Sequence, residues 1–171
     1  MKRNVEIKAR LADPGAIREL VEQIADEGPA VIEQEDTFFH CERGRLKLRK
    51  FSESRGELIY YDRSDSTGPS ECRYLICPTS EPASLIEILS RALGVRGVVR
   101  KRRTLYMVGQ TRVHLDEVKQ LGQFLELEVV LACEQSTSDG ERIAERLMGR
   151  LGIKESDLIE TAYIDLLDEA E

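Results

Sequence analysis

Three short stretches of the 171-residue chain concentrate residues that could do chemistry. In Arg45-Leu46-Lys47-Leu48-Arg49, read at the two-residue period of a β-strand, three cations share one face and two leucines the other. In Phe124-Leu125-Glu126-Leu127-Glu128-Val129, two carboxylates share a face opposite Leu125, Leu127 and Val129. In Asn4-Val5-Glu6-Ile7-Lys8-Ala9-Arg10-Leu11, Glu6, Lys8 and Arg10 oppose Val5, Ile7, Ala9 and Leu11. Guanidinium and ammonium groups neutralise phosphate oxygens, and carboxylates hold Mg²⁺ or Mn²⁺. A cationic row and a carboxylate row facing one cavity therefore suit a polyanion bound with divalent cations.

An ordinary half-exposed sheet is the other reading, with helices over the leucines and water over the charges. The sorting by sign argues against it, because adjacent like charges on one strand face repel. In the alternative the pattern is inverted, with charges lining the inside of a closed sheet and leucines packed beneath helices.

The charge distribution agrees with a local anion site. Net charge is −7, which argues against general affinity for nucleic acid or anionic lipid. Yet Arg43–Lys50 and Arg96–Arg103 hold five cations each and no acid, so 10 of the 25 Lys and Arg sit in two short stretches. In the second stretch, Arg100-Lys101-Arg102-Arg103, both strand faces are basic and parity does not distinguish them. The following strand carries Arg112, His114 and Asp116 on one face. His114 with Asp116 reads either as a catalytic pair or as a satisfied structural histidine.

The elements that position these residues follow from periodicity and turn chemistry. Asp13-Pro14 starts a helix that Gly28-Pro29 stops, and a second helix spans about Glu81 to Leu93. Strands are expected at Asn4–Leu11, Gln34–Cys41, Arg45–Phe51, Glu57–Arg63, Glu71–Cys77, Val98–Val108, Thr111–Val118 and Gly122–Ala132, with a polar loop over Ser64–Ser70. Helices are expected at Asp139–Leu151 and Glu155–Leu167. Short connections favour antiparallel pairing, and eight such strands can close into a barrel with a lined interior. The length suits one domain over residues 1–171. Cys41, Cys72, Cys77 and Cys133 are scattered and read as reduced thiols, and no apolar run or leader is apparent, which makes the cytoplasm the expected compartment.

The order of these motifs resembles the CYTH superfamily, the triphosphate tunnel metalloenzymes, which includes class IV adenylate cyclases, thiamine triphosphatases and inorganic tripolyphosphatases. Its E-x-E-x-K strand is matched by Asn4-x-Glu6-x-Lys8, its R-x-K-x-R strand by Arg45, Lys47 and Arg49, and its later K-x-R strand by Lys101 and Arg103. An acidic position matches Asp116, and the late E-x-E strand matches Glu126 and Glu128. The Val5–Lys8 start and the Gly122–Glu128 strand look most like the adenylate cyclase branch.

The resemblance implies an α+β fold: an eight-stranded antiparallel barrel with flanking helices that binds a triphosphate with Mg²⁺ or Mn²⁺. It implies metal ligands Glu6, Asp116, Glu126 and Glu128. A phosphate path of Lys8, Arg45, Lys47, Arg49, Arg63, Arg73, Lys101 and Arg103 is implied too, with Lys8, Lys101 and Arg103 acting on the reacting phosphate. Arg63 and Arg73 are placed by strand position alone. The implied substrate is ATP, tripolyphosphate or thiamine triphosphate; no nucleic acid or membrane partner is expected, and a homodimer is compatible. The reaction is either conversion of ATP to cyclic AMP and pyrophosphate or hydrolysis of a triphosphate, and a non-catalytic binding module is the third reading. Asn4 departs from the pattern, since it stands where a glutamate is usual and supplies no charge.

Overall fold

The computed structural model describes residues 1–63 and 68–170. The expected loop residues Ser64–Thr67 lie outside them. Among the described residues, eight strands close a barrel: β1 (Lys2–Arg10), β2 (Glu27–Phe39), β3 (Arg45–Ser52), β4 (Arg55–Arg63), β5 (Ser70–Thr79), β6 (Val95–Val108), β7 (Thr111–Val118) and β8 (Gly122–Val130). Neighbours run in the order β1-β5-β4-β3-β2-β6-β7-β8, every pairing antiparallel, and β8 returns to β1.

The barrel is inverted, as the sorted charges require. Ile7, Ala9, Val113, Leu115, Leu125 and Leu127 point outward and form the main core with Val21, Leu147, Met148 and Leu151 of two covering helices. These helices are α1 (Pro14–Ile24) and α3 (Thr137–Leu151). Asp13 caps α1 by accepting from the Ala16 amide, and Ser136 and Asp139 cap α3 reciprocally. Gly140 permits the close approach of α3, because a Cβ there would lie 2.6 Å from Val5 Cγ2. A third helix, α2 (Pro82–Leu93), contacts β2, β3 and β4.

Two boundaries differ from the sequence reading. The first helix stops at Ile24, and β2 already begins at Glu27. Gly28 and Pro29 punctuate this strand instead of the helix: they occupy a register shift against β6 between Glu27 and Ala30. Proline lacks an N–H, and at such a bulge it breaks no regular ladder bond.

The expected helix over Glu155–Leu167 is also corrected. Glu155–Asp157 forms a single 3₁₀ turn, Leu158 bridges to Ala9 as extended chain, and only α4 (Tyr163–Asp168) is helical. Apolar spacing had suggested one helix, but Lys8 O takes the Ile159 amide and pulls the chain across the barrel end. There Ala162, Tyr163 and Ile164 pack against Phe38, Val99, Val118 and Phe124 and plug it. Gly97 leaves room for this plug, since a Cβ would meet Ile164 Cδ1 at 2.7 Å.

Candidate active site

Inside the barrel lies a cavity of about 270 Å³, lined by Glu6, Lys8, Lys47, Arg49, Arg63, Lys101, Arg103, Glu126 and Glu128 among others. Strand alternation alone puts them there. The register brings Glu6 opposite Glu128 and Lys8 opposite Glu126, while Arg103 lies opposite Asp116. Lys101 and Arg103, undecided by parity, face inward and are buried; Arg100 and Arg102 pair with Glu35 and Glu33 on the outside.

Beside the plug the charges satisfy one another. Asp116 accepts from Arg103 Nε at 2.7 Å and Nη2 at 2.5 Å, from Lys101 Nζ at 3.1 Å and from the Tyr163 hydroxyl at 3.1 Å. Burial would raise its carboxyl, but Arg103 and Lys101 outweigh burial and hold it at about 2. Lys8 Nζ donates to the Thr161 carbonyl at 3.0 Å and lies 4.0 Å above the Tyr163 ring, with Glu126 at 3.5 Å. Burial lowers this ammonium to about 8, against the pull of Glu126.

Asp36 is the counterpart on β2. It takes Lys47 Nζ at 2.7 Å and Arg49 through Nε and Nη2 at 2.8 and 2.9 Å. Burial opposes its ionisation, yet Arg49 and Lys47 hold it below the ordinary carboxylate range. Lys47 is itself lowered to about 8, chiefly by burial. The like-charge row of β3 is thus tolerated because a carboxylate sits across from it. Sequence reasoning missed Asp36, and a single acid in Gln34-x-Asp36-x-Phe38 gave no signal until its neighbours across the sheet were known. Tyr163 was missed for a similar reason, being read as part of a longer helix.

The remaining predicted residues divide. Arg63 Nη1 donates to Glu6 Oε1 at 2.9 Å and Nη2 to the Glu160 carbonyl at 2.7 Å. Glu6 is raised, first by burial and further by Glu128 and Glu126, against the pull of Arg63. Arg45 reaches out to Asp165 on α4 at 2.9 Å. Arg73 requires correction. Its neighbour Cys72 faces the cavity opposite Asn4, so alternation sends Arg73 outside, where it binds Glu71 at 2.6 Å with 62% of its side chain exposed.

Metal ligation can be tested on the donors themselves. His114 Nδ1 and carboxylate oxygens of Glu126 and Glu128 all lie within 4.8 Å of one another. His114 Nδ1 is 3.6 Å from Glu128 and 3.8 Å from Glu126, and among the described residues this buried nitrogen has no hydrogen-bond partner. Glu126 also meets Arg103 Nη2 in a short ion pair, and Arg112 Nε lies 3.0 Å from Glu128. Despite burial, both carboxyls are held below their usual range, Glu126 mainly by Lys101 and Arg103, Glu128 by His114 and Arg112. Ionised oxygens with an unpartnered nitrogen fit a divalent cation. Asp116 stands apart from this group, accepting from Lys101, Arg103 and Tyr163.

At the end of the cavity opposite the plug, Asn4, Tyr74 and Arg112 line one side, and the side running from β2 to β6 is apolar. Ile32, Phe51, Ile59, Ile76 and Leu105 line that side, and Ile76 is 38% exposed.

A model of the CYTH domain matches residues 2–163. The chain belongs to the CYTH family. Among solved structures it is similar to PH1012 protein from Pyrococcus horikoshii OT3, at 29% identity and a TM-score of 0.85, covering 95% of this chain and 98% of that one. A candidate adenylate cyclase from Vibrio parahaemolyticus matches with 19% identity, a TM-score of 0.74 and coverage of 96% and 97%. HpAC1 from Hippeastrum, described as having a dominant triphosphatase activity, matches with 16% identity, a TM-score of 0.68 and coverage of 100% and 97%. The search of curated proteins returns no match. No helix among the described residues is long and apolar enough to cross a membrane.

Proposed function

We propose that this CYTH protein is a metal-dependent enzyme that binds an organic triphosphate lengthwise in the barrel and converts ATP to cyclic AMP and pyrophosphate. One observation carries the reading: a closed sheet directs Lys8, Lys47, Arg49, Lys101 and Arg103 at a cavity that also holds the ionised pair Glu126 and Glu128. Burying so many charges is costly unless a ligand or partner uses them. The apolar side of Ile32, Phe51, Ile76 and Leu105 suits an organic substituent and favours it over free tripolyphosphate.

In this reading the polyphosphate occupies the cationic section. Lys8, Lys101 and Arg103 stabilise the charge that develops on the phosphate oxygens, and Asp116 and Tyr163 hold these cations in place. Lys47 and Arg49, fixed by Asp36, grip a second part of the chain. Glu126 and Glu128 would hold a divalent cation, which would supply further neutralisation of those oxygens. The ribose 3′-hydroxyl oxygen forms the new bond to the α-phosphorus, its proton passes through solvent to the departing pyrophosphate, and pyrophosphate leaves with the electrons of the broken P–O bond.

The test is product identification by ³¹P NMR after incubation with ATP and Mn²⁺. Cyclic AMP with pyrophosphate is expected. Orthophosphate without cyclic AMP replaces the cyclase reading with a triphosphatase, in which water attacks the terminal phosphorus. Binding without turnover of ATP, thiamine triphosphate or tripolyphosphate, at saturating enzyme, leaves only a binding module.

A further inference from the structure

We infer that His114 is a nitrogen ligand of the divalent cation held by Glu126 and Glu128, so that the site takes a first-row transition ion in preference to Mg²⁺. The inference rests on the metal-dependent reading above and deepens it.

Three features converge. His114 is 3% exposed, and its Nδ1 has no hydrogen-bond partner among the described residues. A buried ring nitrogen left without a partner is costly, and most are satisfied. Its two near neighbours are both carboxylate oxygens, at 3.6 and 3.8 Å, too far for good hydrogen bonds, and the three residues' ligand atoms lie within 4.8 Å of one another. An ion with ligand bonds of about 2.0–2.4 Å could bridge such a group after small side-chain shifts.

The fold explains why the nitrogen comes from β7. His114 is directly opposite Glu126 in the β7–β8 register, and Arg112 is opposite Glu128, so the inward face of β7 meets the acidic pair residue for residue. Arg112 is a guanidinium with no lone pair to offer and donates to the Tyr74 hydroxyl at 3.3 Å, so the nitrogen ligand on that strand face is that of His114. Mg²⁺ prefers oxygen ligands and sheds water reluctantly, whereas imidazole suits transition ions. An all-carboxylate site would lack this bias.

Pulsed electron paramagnetic resonance on the full chain with Mn²⁺ alone tests the ligand without any turnover. The expected result is a nitrogen modulation that changes when histidine is labelled with ¹⁵N. The chain has two histidines, and His40 is exposed, so His40→Gln should retain the modulation and His114→Gln should lose it. The labelled unsubstituted protein answers the question even if His114→Gln folds poorly. Calorimetry should show Mn²⁺ binding tighter than Mg²⁺ by about tenfold or more, a ratio that shrinks in His114→Gln. Bound Mn²⁺ without nitrogen modulation, or modulation that survives in His114→Gln, overturns the inference alone. Failure to bind Mn²⁺ at all overturns it together with the metal-dependent reading.

Discussion

Asp116 and His114 lie two residues apart on one strand face, yet their surroundings differ in kind. Asp116 is saturated by Lys101, Arg103 and Tyr163 beside the plug. His114 leaves its Nδ1 without a partner, and Asn4 Oδ1 and Gln34 Oε1, which also line the cavity, are likewise buried and unpartnered among the described residues. One region is complete in the protein alone, while the other has polar atoms that a ligand, ion or water must satisfy. Substitution of Asp116 should therefore register in stability as well as turnover, and substitutions in the second region in binding and turnover with little change in stability.

The largest effects should break this contrast if it is wrong. Glu128→Gln removes a proposed metal ligand and a charge from the incomplete region, so turnover should fall by about 100-fold or more while the melting temperature changes little. Asp116→Ala should instead cost about 3–5 kcal/mol in a denaturant titration, because Lys101 and Arg103 would be left buried without their main counter-charge. A melting curve of Glu128→Gln as depressed as that of Asp116→Ala would remove the distinction between the regions.

An intermediate effect concerns pH. Lys8 and Lys47 are lowered to about 8, so both ammonium groups are charged below that value and lose charge above it. Triphosphate affinity measured at fixed metal should weaken roughly tenfold or more between pH 7 and 9, and bound phosphate will move the transition upward. Lys8→Arg with Lys47→Arg should flatten the profile, since guanidinium stays charged.

Two smaller effects sharpen the boundaries. Asn4→Asp adds a charge in the incomplete region near Glu128 and should tighten Mn²⁺ binding by about threefold, read by calorimetry. No gain would mean that Asn4 is no weakened ligand position. Arg73→Ala should change stability by no more than about 0.5 kcal/mol and leave turnover unaltered, because the side chain is on the outer face.

Most of the interior was legible from alternation. The rows of β3 and β8 and the pair Glu6 and Lys8 needed only a two-residue period and sorted sign, and the barrel followed from short connections. What alternation could not supply was the partner across the sheet. Asp36 gains meaning only beside Lys47 and Arg49, and His114 only beside Glu126 and Glu128. Asp116 has a metal ligand's chemistry and accepts from cations on β6. Arg73 failed because Cys72 and Arg73 differ by one residue, and on a strand that reverses the face. The plug was hidden because its apolar spacing fits a helix, whereas contacts with β1 hold much of it extended.

The central claim is that the barrel interior is built for a metal-bound triphosphate, and thermal unfolding with added ligand tests it most directly. With tripolyphosphate and Mn²⁺ near 100 times their dissociation constant, stabilisation of about 2.7 kcal/mol, or roughly 5–10 °C, is expected for the unsubstituted chain. Glu128→Gln should lose most of that shift. No shift in the unsubstituted chain, or an equal shift in Glu128→Gln, would contradict the account.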